Sequence, residues 1–109
     1  MSMQDGQLPI PGLAISDAKS VKLMRAWIAK QGLHISLRIG AWDHTPTIDE
    51  RNAWGIVLAD AVKHIADALV REGKERIETV AAIRASFLAE LDCPTSSSGG
   101  DFVDGPSRN

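Results

Sequence analysis

The sequence predicts a small α+β domain: a β-hairpin followed by two antiparallel helices packed on one face of its sheet, completed by dimerisation. Two observations lead there. The apolar period is two residues from Val21 to Trp42 and becomes that of a helix after Pro46, and 109 residues leave room for a single core. A composition of 44% hydrophobic and 24% charged residues is ordinary for a globular chain and excludes collagen-like, fibrous and wholly disordered classes.

Residues 1–20 read as an extended N-terminal segment. In Leu8-Pro9-Ile10-Pro11-Gly12-Leu13 the prolines oppose a regular helix or a central strand, while the apolar groups can lie along a core. The domain proper spans residues 21–93. Leu33, Ile35, Leu37, Ile39 and Ala41 alternate with His34, Ser36, Arg38, Gly40 and Trp42, the pattern of a strand with one buried face. Val21 to Lys30 forms its partner, and Gln31-Gly32 supplies a two-residue loop, because glycine takes a positive φ at little cost. That loop pairs Ile28 with Ile35 and Ala26 with Leu37 on an all-apolar face. The opposite face then sets Arg25 against Arg38, Trp27 against Ser36 and Val21 against Trp42.

Thr47-Ile48-Asp49-Glu50 is a capping box, in which the Thr hydroxyl and the Glu side chain satisfy each other's free backbone donors, so a helix begins there. Trp54, Leu58, Ala61, Ile65, Ala68 and Leu69 form its apolar seam, and Gly73 ends it in a left-handed cap. A second helix runs from Glu75 to Leu91 and stops at Pro94; the short connection makes the two helices antiparallel neighbours. Residues 94–109 are rich in Ser, Gly, Pro and Asp and offer only Phe102 and Val103 for burial, so a disordered tail is expected.

Charge and cysteine content narrow the functional classes. Net charge is −2, made of +2 over residues 1–46, −3 over 47–93 and −1 in the tail. With no basic field to displace counterions, nucleic acid is not expected as a partner. Cys93 is single and stands beside Pro94 rather than in a ligand spacing, which fits a reducing compartment. Met1 to Ser16 lacks the basic and apolar regions of a secretory leader, and no run of 18 apolar residues occurs, so a cytoplasmic chain with no membrane partner is expected.

Several short runs together resemble a known family: Leu8-Pro9-Ile10-Pro11 before the hairpin, Ala53-Trp54-Gly55-Ile56-Val57-Leu58-Ala59-Asp60 with His64 one turn on, and Ile83-Arg84-Ala85-Ser86-Phe87-Leu88-Ala89-Glu90 before Pro94-Thr95. The chain is similar to the small bacterial family catalogued as domain of unknown function 5076. The resemblance spans nearly all of the folded part, implies a stand-alone bacterial domain, and carries no activity or catalytic residue with it.

Arg25, Trp27, Arg38 and Trp42 are the candidate ligand- or partner-binding residues. Like charges opposed across a hairpin call for an anion or a carboxylate, and Trp27 offers a ring to stack; the alternative is that acidic groups of the same chain or its twin satisfy both guanidinium groups. Asp60, His64, Asp67 and Arg71 lie along one helix face, where an Asp beside a His could orient a general base; a solvated face with weak ion pairs is the alternative. Asp43-His44 could bring a second His toward His64 and Asp60 for a metal, although the spacing matches no metal motif. No phosphate-binding glycine loop occurs. The resulting expectation is a non-enzymatic homodimeric binding or accessory module for a protein or small anionic ligand, with no cofactor, no metal and no catalytic residue; the alternative is a small enzyme or metal protein using His64 and Asp60 with His44.

Overall fold

The computed structural model describes residues 8–96 and 98–104. Its elements are α1 (Gly12–Ser16), β1 (Met24–Ala29), β2 (Gly32–Ile39), α2 (Glu50–Arg71), α3 (Arg76–Asp92) and β3 (Ser98–Asp104), and the sheet order is β1-β2-β3. The N-terminal segment is therefore not extended throughout. Past Pro9 and Pro11 the chain closes a single helical turn, with Asp17 N–H donating to the Leu13 carbonyl at 3.1 Å.

β1 and β2 form the expected antiparallel hairpin, two residues out of the expected register. Lys30 and Gln31, with φ of 51° and 65°, make the turn, so Ala29 pairs with Gly32, Ile28 with Leu33 and Met24 with Leu37. Positive φ at both central residues gives the twist that tight hairpins favour. A shift of two preserves the faces, since side chains alternate with a period of two. Met24, Ala26 and Ile28 still share a side with Leu33, Ile35 and Leu37. A non-glycine residue in the left-handed region costs about 1–2 kcal/mol. Replacing Lys30-Gln31 by Asn-Gly is expected to raise unfolding stability by about 1 kcal/mol, read from the urea midpoint at unchanged slope.

The tail departs from the expected disorder over Ser98–Asp104, which adds to the hairpin as a third strand parallel to β2, with Leu33 opposite Ser98 and Leu37 opposite Phe102; residues 105–109 of the expected tail lie outside the described residues. Parallel pairing needs a long crossover, and α2 with α3 supplies it. The Glu90 carboxylate clamps the return. It accepts from the Thr95 hydroxyl and N–H at 2.8 Å and from the Ser96 N–H at 3.2 Å, and these bonds, the Thr95 hydroxyl first, hold its pKa below the usual 4.5. A carboxyl group depressed in the folded state contributes stability above pH 4.5 that is lost as pH falls through its lowered value. Hydrogen exchange of the β3 amides is expected to accelerate in that acid range, and Glu90→Gln is expected to remove this pH dependence.

α2 begins two residues later than the capping box implies. Asp49 is the N-cap, its carboxylate accepting from Arg51 N–H at 2.9 Å, and Glu50 turns elsewhere. Glu72 closes the helix, Gly73 follows with φ of 96°, and Lys74 N–H reaches back to the Leu69 carbonyl at 3.0 Å. α3 is capped by the Glu75 carboxylate, which accepts from Glu78 N–H at 2.8 Å. The two helices pack on each other as expected: Ala66, midway along α2, is fully buried, flanked by half-buried Val62 and Leu69.

The expected packing of that pair on the sheet does not occur within the chain. Among the described residues neither helix contacts a strand. Both apolar surfaces consequently stay open: on the sheet Ile28 is 84% and Phe102 68% exposed, and on the helices Ile65 is 48% and Leu91 67% exposed. The ten residues between β2 and α2 explain the separation. Successive turns (Asp43 N–H to Gly40, Thr45 N–H to Trp42, Ile48 N–H to Thr45) keep them compact, so α2 starts at the end of β2 instead of folding back over it.

Candidate functional site

The hairpin face opposite the apolar one carries the basic residues. Arg25 stands opposite Ser36, not Arg38, because the turn lies at Lys30-Gln31. Arg38 is one row further along, where its N–H donates to the Leu23 carbonyl at 2.9 Å and Val103 flanks it from β3. The direct Arg25/Arg38 opposition is thereby replaced by a diagonal one, with Asp101 of β3 in the Arg25–Ser36 row. Mutual repulsion falls, and the anion demanded by two facing guanidinium groups is no longer required. Lys22, Arg25, Ser36 and Arg38 still border one shallow concavity of about 130 Å³.

Trp27 lies beside Arg25. The guanidinium lies 4.8 Å from the Trp27 ring centre, a cation–π contact that holds both groups upright on an exposed surface. His34, opposite Trp27, points its Nε2 toward the Ala29 carbonyl at 3.2 Å.

Trp42 is elsewhere. It lies beyond the last β2 residue, in the turn after Gly40, and meets Trp54 of α2 edge-to-face with ring centres 5.8 Å apart at 77°. Glu50 organises this junction: both carboxylate oxygens accept from Gly40 N–H at 3.0 and 3.1 Å, and Oε2 also accepts from Trp54 Nε1 at 2.9 Å. Gly40 is buried, so Glu50 satisfies a donor that water cannot reach readily. A hydrogen-bonded knot thus joins sheet to helices, and Trp42 belongs to it rather than to the basic face. Its clue was the Glu50-x-x-x-Trp54 spacing, which places the two side chains in reach on one helix face.

The helix stripe does not form an acid–base pair. Asp60 binds Lys63 at 2.9 Å and Asp67 binds Arg76 at the start of α3, leaving His64 exposed between them. Among the described residues no three His, Cys, Asp or Glu side chains converge as metal ligands, and His44 sits in an exposed turn. A second concavity, of about 320 Å³, runs along α3 between Arg76, Ile77, Val80 and Arg84.

Fold and surface together define a small α+β domain with a half-basic open sheet and a helical hairpin held apart from it. The chain belongs to the DUF5076 family, a domain of unknown function, whose model matches residues 7–95. No curated protein matches it. Among solved structures, the chain is similar to one described as "a putative pyruvate dehydrogenase from the photosynthetic bacterium Rhodopseudomonas palustrus CGA009", at 26% identity and a TM-score of 0.61, over 84% of this chain and 88% of that one. No helix among the described residues is long and apolar enough to cross a membrane.

Proposed function

We propose that the chain works as a non-catalytic homodimeric module of the bacterial cytoplasm, binding an acidic protein partner or a small anion through Arg25, Trp27 and Arg38. The observation that carries the reading is the uncovered apolar surface. On the sheet Ile28 is 84% and Phe102 68% exposed, and on the helices Leu91 is 67% and Leu88 52% exposed. Large apolar side chains exposed together on regular elements are the mark of an interface.

A binding role suits the basic face better than catalysis does. Ligand pockets run to about 300–1,000 Å³, and the concavity at Arg25 and Arg38 holds about 130 Å³. It has room for a carboxylate against the Arg25 and Arg38 guanidinium groups but does not enclose a substrate. The name carried by the Rhodopseudomonas structure belongs to that protein; here the two Asp residues at helical spacing from the exposed His64, Asp60 and Asp67, are bound to Lys63 and Arg76, which supports no general base.

Light scattering after size exclusion tests the assembly: a mass of twice 11.7 kDa is expected across micromolar concentrations, and a mass of 11.7 kDa throughout would overturn it. Binding is tested separately with a polyglutamate peptide at low salt. The double variant Arg25→Ala/Arg38→Ala is expected to bind it at least about tenfold more weakly, equivalent to about 1.4 kcal/mol, with the mass unchanged. Equal binding by both proteins would remove these residues from the site.

A further inference from the structure

Resting on the homodimer reading, we infer that the second copy covers the sheet with its helices: each α2–α3 hairpin lies on the partner's apolar sheet face, so that the two chains exchange helical layers. Three observations carry the assignment. The first is complementarity within one chain. The sheet presents Ala26, Ile28, Leu33 and Phe102 with no helix over them, and the helical pair presents Ala61, Ile65, Phe87 and Leu91 with no sheet under them. Helix on sheet is the layering that buries both kinds of surface, and each copy contains both halves of it.

The second is the junction. Glu50 ties Gly40 to Trp54, and Trp42 packs on Trp54, so the helices are fixed at the end of β2 in a direction that leaves their own sheet bare. Exchange of an element between protomers forms the same kind of contacts with the neighbour's surface in place of the chain's own, and a junction held in this direction favours it. The third is extent. Large apolar side chains stand exposed on both elements, Ile28 at 84% and Phe102 at 68% on the sheet and Ile65 at 48% and Leu91 at 67% on the helices. Contact through a single sheet edge or a single helix face would leave one of the two sets in water, whereas reciprocal coverage removes both faces in each copy.

Disulfide trapping distinguishes the arrangements. In a Cys93→Ser background, Ala26→Cys places a thiol on the apolar sheet face and Ala61→Cys places one on the apolar helix face; both positions are exposed in the single chain and tolerate a small side chain. The two variants, one carrying a length tag, are unfolded together, refolded as a mixture and oxidised, with circular dichroism and light scattering verifying fold and mass. The expected result is a disulfide-linked pair of unlike chains in the mixture and no linked pair in either variant alone. Linked pairs in Ala26→Cys alone would show sheets stacked face to face, and linked pairs in Ala61→Cys alone would show a four-helix bundle; either overturns the exchange while keeping the homodimer. A dimeric mass without any linked pair overturns the exchange as well. A mass of 11.7 kDa overturns the homodimer reading itself. The double variant Ala26→Cys/Ala61→Cys adds a check, since a disulfide closing within one chain would show helices folded onto their own sheet.

Discussion

Replacing Ile65 by aspartate is expected to convert a particle of twice 11.7 kDa into one of 11.7 kDa at micromolar concentration. Ile65 lies on the α2 face shared by Leu58, Ala61 and Ala68, and it is 48% exposed in the single chain. In the single chain a carboxylate there stays in water, so helix content should hold. In a covered face it must be desolvated with no cation opposite, and an unpaired buried charge costs about 3–5 kcal/mol, repeated in each copy by symmetry. At 1.4 kcal/mol per decade, the dissociation constant should rise at least about a hundredfold. Ile56→Asp is the control. Ile56 is 63% exposed and lies on the side of α2 that carries Asn52, Asp60 and Lys63, so its replacement should leave the mass unchanged. Unchanged mass in both variants would show that the Ile65 face is not an interface.

Gly100→Ala is expected to detach β3 from the sheet. Gly100 adopts a φ of 132°, and an added Cβ would lie 2.7 Å from Ile35 N and 2.8 Å from its carbonyl carbon, with the carbonyl oxygen nearer still. These are backbone atoms of the central strand, which cannot move aside as the end of a flexible side chain would. Steric crowding and a glycine-only backbone conformation together cost about 3 kcal/mol, or about two decades in an opening equilibrium. Amide exchange over Ser98–Asp104 should accelerate by about that factor while α2 and α3 keep their protection. If β3 amides exchange as slowly in the variant as in the parent, Gly100 is not what permits the close approach.

Much of the architecture was legible because it depends on neighbours in sequence. The alternation through β2 defines which side chains share a face, and a register shift of two leaves that intact. The end of α3 follows from Pro94, and Gly73 follows the end of α2 as its position implies. Misreadings arose where local rules gave competing answers. Gln31-Gly32 is the better turn on local grounds, yet Lys30 and Gln31 take the positive φ values, and that moves Arg25 from Arg38 to Ser36. Asp49, not Thr47, caps α2, because Glu50 is recruited by Gly40 and Trp54.

At the candidate site, residue types and face were readable and residue partners were not. Arg25 and Trp27 meet as neighbours two apart on a strand, a relation that spacing alone implies. Trp42 could not be placed by alternation because the strand ends at Ile39, and only the fold beyond it brings Trp54 within reach.

Sequence by itself determined the hairpin, its apolar face, both long helices and their short connection, since backbone propensity, caps and periodicity act over a few residues. Tertiary structure alone decided that Ser98–Asp104 is a strand, that the helices stand away from their own sheet, and that Glu50 is the knot between them. Those outcomes depend on contacts between residues far apart in the chain. The Gly100 backbone against Ile35 and the Glu50 carboxylate against Gly40 N–H are close approaches whose free energy appears only once the fold brings the partners together.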